Sequence, residues 1–109
     1  RSAQAGSLNG MRIEIAPEVA EDFERILDHL ATCQVEHPER RIDEVIGALD
    51  VLESNPLIGR PVANGRRELV IGRRFHGYLA SYRCVAEIDT VIVLAVRSQR
   101  EAGYVERSE

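Results

Sequence analysis

The sequence contains no lysine; all fourteen of its basic residues are arginine. Arginine stays protonated throughout the working pH range, so no tunable ammonium group is available as a general acid or base. Cysteine is almost as scarce. Cys33 and Cys84 sit in periodic segments with neither CxxC spacing nor a histidine partner, which predicts a pair of buried thiols rather than a disulfide or a metal site. No apolar run approaches the roughly 18 residues that cross a bilayer, so no membrane association is expected. The first ten residues, RSAQAGSLNG, have no apolar core and read as a flexible leader or cloning remnant, not as a signal peptide. A cytoplasmic location follows as the expectation. GxSxG, HxxxH, HExxH and a phosphate-cradling glycine pattern are also missing. Nucleophilic catalysis, metal chemistry and nucleotide binding therefore lack their usual residues, and neither metal nor cofactor is expected.

What is present suits one globular domain. The chain has 109 residues, 44% of them hydrophobic and 29% charged, which is enough apolar content for a single core and argues against disorder. Residues 11–104 are assigned to that domain and 105–109 to a tail. The net charge of −4 hides a division. From Met11 to Asn55 twelve acids face four arginines, a balance of −8, whereas from Pro56 to Tyr104 eight arginines face four acids, a balance of +4. An acidic half is thus joined to a basic half.

Periodicity predicts the elements. MRIEI alternates Met11, Ile13 and Ile15 with Arg12 and Glu14, the pattern of a short strand. Pro17 suits a first helical position, and Val19, Phe23, Ile26, Leu27 and Leu30 recur at helical spacing, predicting a helix over 17–34. After His37-Pro38, the residues Ile42, Val45, Ile46, Leu49 and Leu52 predict a second amphipathic helix to about Ser54. The short link between the two makes an antiparallel hairpin. Asn55-Pro56 and GRPVANGRR then form a turn-rich loop. Strands are predicted at Glu68–Ile71, Gly77–Val85 and Thr90–Val96, and the last of these is apolar enough to be a central strand covered on both faces. The class is α+β, β-α-α-β-β-β, with the helical hairpin on one face of an antiparallel sheet.

Most polar features have ordinary explanations. The helical carboxylates, among them Glu21 and Asp22, fall opposite the apolar stripes and alternate with arginines, as on a solvated helix face. His29, His37 and His76 lack ligand spacing. The stretch AVRSQREAGY, from Ala95 to Tyr104, is less ordinary. An apolar strand ends in Arg97 and Arg100, with Tyr104 closing the segment, and Arg66, Arg67, Arg73, Arg74 and Arg83 lie at or between neighbouring strands. Guanidinium forks suit phosphate or carboxylate, and Tyr78 and Tyr82 add stacking faces. Arginines at a sheet rim and tyrosines in a core account equally well for the same residues.

Four stretches carry a resemblance: NPLIGRPV (Asn55–Val62), RELVIG (Arg67–Gly72), GYLASYR (Gly77–Arg83) and VIVLAVRSQREAGY (Val91–Tyr104). In order and spacing they make the chain similar to the RelE/ParE superfamily of toxins from bacterial type II toxin–antitoxin systems. The resemblance implies a helical hairpin on an antiparallel sheet and a cognate antitoxin whose C-terminal segment wraps the toxin. It also implies one of two activities. RelE-like members cut mRNA in the ribosomal A site with basic sheet residues and a C-terminal tyrosine, while ParE-like members block DNA gyrase. Aligned through Gly77-Tyr78, the sheet lysines of a nuclease fall near Val70 and Gly72, and its further basic residues fall at Leu79 and Ser98. Only Tyr104 matches. The resemblance therefore implies a ParE-like, non-nuclease toxin that inhibits gyrase, with no catalytic residues. Arg73, Arg74, Arg83, Arg97, Arg100 and Tyr104 would meet the antitoxin or the target, and sequence-specific DNA binding by the toxin alone is not expected. A nuclease would instead use Arg97, Arg100 and Tyr104.

Overall fold

A computed structural model describes residues 10–72 and 77–99 of the chain. Strand β1 (Arg12–Ile15) leads through Ala16 into helix α1 (Pro17–Thr32), with Pro17 in the first turn, where its missing N–H costs nothing. Helix α2 (Glu39–Leu49) continues into a 3-10 turn at Asp50–Glu53, so the second helical run tightens in its last residues. A two-residue strand, β2 (Arg60–Pro61), which periodicity is too short to reveal, precedes β3 (Arg67–Ile71), β4 (Tyr78–Val85) and β5 (Thr90–Ser98).

The class is the α+β arrangement predicted. The five described strands form one sheet in the order β1-β5-β4-β3-β2. β2, β3, β4 and β5 are antiparallel to their neighbours, and β1 joins the far edge parallel to β5, with Arg12 opposite Thr90 and Ile15 opposite Val93. β4 and β5 are joined through a 3-10 turn at Ala86–Ile88 and Asp89, whose φ of 49° is left-handed, a conformation that aspartate tolerates better than most residues.

The core lies between the helices and one face of the sheet. Val19, Ile26 and Leu30 of α1, Val45 and Leu49 of α2 and Leu52 meet Tyr78, Ala80 and Tyr82 of β4 and Val91, Val93 and Val96 of β5. Three residues expected to be buried differ. Ile46 is 41% exposed, because α2 buries only a narrow stripe. Cys33 is exposed at the C-cap of α1 rather than buried, and Cys84 is half-buried; both are free thiols. β5 is central, as predicted, but the helices cover only one of its faces. On the other, Ile92 and Ala95 are half-buried, and no described helix lies over them. A bulge between Ser81 and Tyr82 leaves Leu94 unpaired and keeps Val91, Val93 and Val96 all pointing at the helices.

Candidate functional site

On the helix side of the sheet, Tyr82 is wholly buried, and its phenol is the anchor of the loop before β2. The Tyr82 hydroxyl accepts from the Gly59 N–H at 2.8 Å and donates to the Pro56 carbonyl at 2.7 Å. Arg67, opposite Tyr82 on β3, donates from the same Nη1 to the carbonyls of Leu57 (3.1 Å) and Gly59 (2.7 Å). Four backbone groups of one loop are thus held by two side chains. Burial pushes the Tyr82 pKa above its ordinary 10.0, against the opposing influence of the Gly59 hydrogen bond and the Arg67 charge. Gly59 has no room for a side chain, since a Cβ there would lie 2.6 Å from the Tyr82 oxygen and 2.8 Å from the Glu68 carbonyl. NPLIGRPV is therefore a clamped loop, and Arg67 and Tyr82 are structural. The clamp leaves Leu57 and Ile58 largely exposed at its tip.

Neither described helix lies on the opposite face of the sheet. Strand register sets its residues in rows: Val70 beside Leu79 beside Arg97, then Glu68 beside Ser81 beside Ala95, then Arg83 beside Ile92. Arg83 and Arg97 are both exposed, and neither has a carboxylate partner among the described residues. They do not share one rim. Arg97 faces Leu79, four residues from Arg83 along β4, which separates their backbones by about 13 Å at the usual strand rise. Arg83 instead sits at the end of the sheet where β3 begins, and its Nη1 lies 3.2 Å from where a Cβ on Gly65 would be. Arg66, absent from the expected set, belongs to that same end. Nothing in the sequence singles it out; the β3–β4 register, continued one residue beyond Arg67 opposite Tyr82, carries Arg66 toward Arg83. Arg73, Arg74, Arg100, Tyr104 and His76 lie outside the described residues.

The four positions that the sequence resemblance aligned with nuclease basic groups are Val70, Gly72, Leu79 and Ser98. Val70 is 55% exposed, Leu79 beside it is buried, and Gly72 has a left-handed φ of 84° that strains any other side chain. Ser98 pairs with Tyr78. Residues 13–103 match the family model described as the ParE toxin of the type II toxin–antitoxin system parDE. The chain belongs to the ParE toxin family. Among solved structures it is similar to the chromosomal ParDE toxin–antitoxin system of P. aeruginosa, with a TM-score of 0.65, 21% identity, and 81% of this chain and 95% of that one covered. It is also similar to the RelBE2 toxin–antitoxin complex of Mycobacterium tuberculosis, with a TM-score of 0.51, 20% identity, and coverages of 82% and 98%. At such identities the likeness is one of fold. Among curated proteins none matches the sequence.

In this ParE-family toxin most helical carboxylates are exposed, as a solvated face requires, but Asp22 is not one of them. β1 ends at Ile15, opposite Val93, so the Val96 N–H lies past its reach. Asp22 Oδ2 accepts that N–H at 2.9 Å, and its Oδ1 meets Arg25 at 3.2 Å. A carboxylate from α1 thus finishes the sheet edge next to Arg97. His29 and Cys33 come together on the exposed end of α1, with Sγ 3.7 Å from Nε2, a proximity of residues four apart on one helix. His37 Nδ1 lies 3.5 Å from Glu39. No group of three or more His, Cys, Asp or Glu among the described residues could hold a metal ion, and no helix among them is long and apolar enough to cross a membrane.

Proposed function

We propose that this toxin acts as a ParE-like inhibitor of DNA gyrase in the cytoplasm and is neutralised by a cognate antitoxin. The carrying observation is the row Val70–Leu79–Arg97 on the open sheet face. Where ribosome-dependent cleavage needs several groups to stabilise a pentacovalent phosphate and move its protons, this row offers two aliphatic side chains and one guanidinium that cannot give up its proton. Binding needs no such equipment. An exposed guanidinium beside apolar surface is well suited to gripping a protein. Arg83 and Arg97, with Arg73, Arg74, Arg100 and Tyr104 of the adjoining segments, are the residues assigned to antitoxin and target.

Addition of the purified toxin to a gyrase supercoiling reaction is expected to inhibit turnover or trap cleaved DNA, and prior mixing with antitoxin should restore supercoiling. Unchanged supercoiling at large excess of toxin, together with A-site cuts in translated messages that disappear in Tyr104→Phe, would replace this reading with RelE-like mRNA cleavage.

A further inference from the structure

We infer that Arg66 and Arg83 form a carboxylate clamp at the β3-start end of the open sheet face, and that its occupant is an acidic side chain of the antitoxin. This rests on the toxin–antitoxin reading above for the partner's name, but the clamp itself rests on three observations. The first is register: β3 pairs with β4 from Arg67 opposite Tyr82, and Arg66, extended just before it, continues that line toward Arg83. Like charges in that position destabilise a sheet unless something neutralises them. The second is that no described residue neutralises them. Neighbouring guanidiniums are engaged, Arg60 with Glu68 at 3.0 Å and Arg67 with the loop carbonyls. Arg66 and Arg83 meet no acid among the described residues. The third is that Arg66 Nε is buried with no hydrogen-bond partner, the one such side-chain atom among the described residues. A buried donor without an acceptor costs free energy, which a small movement onto an incoming carboxylate relieves.

The turn before β3 holds the pair in place. Asn64 and Gly65 both adopt left-handed φ, 65° and 72°, and the missing side chain of Gly65 leaves the space that the Arg83 guanidinium fills. Arg66 follows in extended conformation, so its side chain alternates to the same face as Glu68.

The surroundings select a carboxylate on a peptide over the phosphates of a nucleic acid. Ile92 lies opposite Arg83, and half-buried Val85 is two residues along β4. Glu14, beyond Ile92 on β1, and Glu68, opposite Ser81 on β3, place negative charge within about two or three strand spacings on the same sheet. Both acids are already paired, with Arg12 and Arg60, so neither pair adds net positive charge for the further phosphates that a nucleic-acid backbone would bring. One acid flanked by apolar residues needs no such charge, and it would make paired, charge-assisted hydrogen bonds to the forks.

The test uses the full-length toxin, its Arg66→Gln and Arg83→Gln variants and, as a charge-matched control, Arg12→Gln, an arginine already paired with Glu14 at 3.1 Å. Affinity for the antitoxin encoded in the adjacent reading frame is measured across a salt series, alongside the melting temperature of each free toxin. Each clamp variant should lose about tenfold or more in affinity and bind with a shallower salt dependence. The free variants should melt no lower than the parent, since like-charge repulsion is removed, and Arg12→Gln should bind as the parent does. Undiminished binding by both clamp variants, with the parent bound, overturns the clamp and leaves the toxin–antitoxin reading standing. Weaker binding accompanied by a lower melting temperature also overturns it, because the arginines would then be structural. Failure of the parent to bind removes the reading and the clamp together. Tighter binding of a short DNA duplex than of the antitoxin, lost in both variants, would reassign the pair to phosphate.

Discussion

The two faces of the sheet use the same side chain in opposite ways. On the helix side, Arg67 lies beside buried Tyr82 and gives its Nη1 to two loop carbonyls, while the phenol satisfies two more backbone groups. Arg83 is the next residue after Tyr82, turned to the open side, where it meets an aliphatic neighbour and no acid among the described residues. One step along a strand separates an arginine-and-tyrosine clamp that holds the fold together from an arginine left available to something outside it. Residue type does not distinguish these roles. Strand parity does, because alternate residues face either a packed core with carbonyls to satisfy or solvent.

Several changes would break or sharpen that contrast. Gly59→Ala should be the most damaging, because its Cβ would strike both the Tyr82 oxygen and the Glu68 carbonyl; a loss of about 3 kcal/mol in urea unfolding is expected. Tyr82→Phe leaves the Gly59 N–H and Pro56 carbonyl unpaired, which should cost about 2 kcal/mol by the same measurement. Asp22→Ala strands the Val96 N–H and should cost about 1 kcal/mol, with faster amide hydrogen exchange at Val96 as its specific signature. On the open side, Arg97→Gln should change stability by less than about 0.5 kcal/mol while weakening the gyrase inhibition proposed above. An open-side change as damaging as the Gly59 one would dissolve the distinction between the faces.

Alkaline pH probes the clamp without mutation. The folded protein holds the Tyr82 proton more tightly than the unfolded chain does, since burial raises its pKa above 10.0. The Tyr82 contribution is therefore complete below pH 10.0 and is lost as pH climbs through the raised folded value. Thermal melts of the parent should show a steeper decline above pH 10.0 than those of Tyr82→Phe.

Much of the fold is legible in the sequence because burial imposes a period on it. Val19, Ile26 and Leu30 recur as a helix requires, and Tyr78, Ala80 and Tyr82 alternate as a half-covered strand requires. The parallel pairing of β1 with β5 is not legible, because alternation in MRIEI says which side of a strand is apolar and nothing about a partner far along the chain. The arginines show the same limit. Their clustering in the second half of the chain can be counted, but that Arg83 lies at the Arg66 end of the sheet and away from Arg97 appears only once β3, β4 and β5 are in register. Asp22 reads as one more acid on a polar helix face until the end of β1 exposes the amide that it caps.

Among the described strands β5 comes last along the chain, yet it lies inside the sheet, between β1 and β4. A nascent chain still waiting for Thr90–Ser98 to clear the ribosome has nothing to bridge β1 to β4, and its core lacks Val91, Val93 and Val96. Closure of such distant pairings is slow and comes late. Until β5 has been made, then, Leu79 has no Arg97 beside it, and the row proposed to grip the target cannot form.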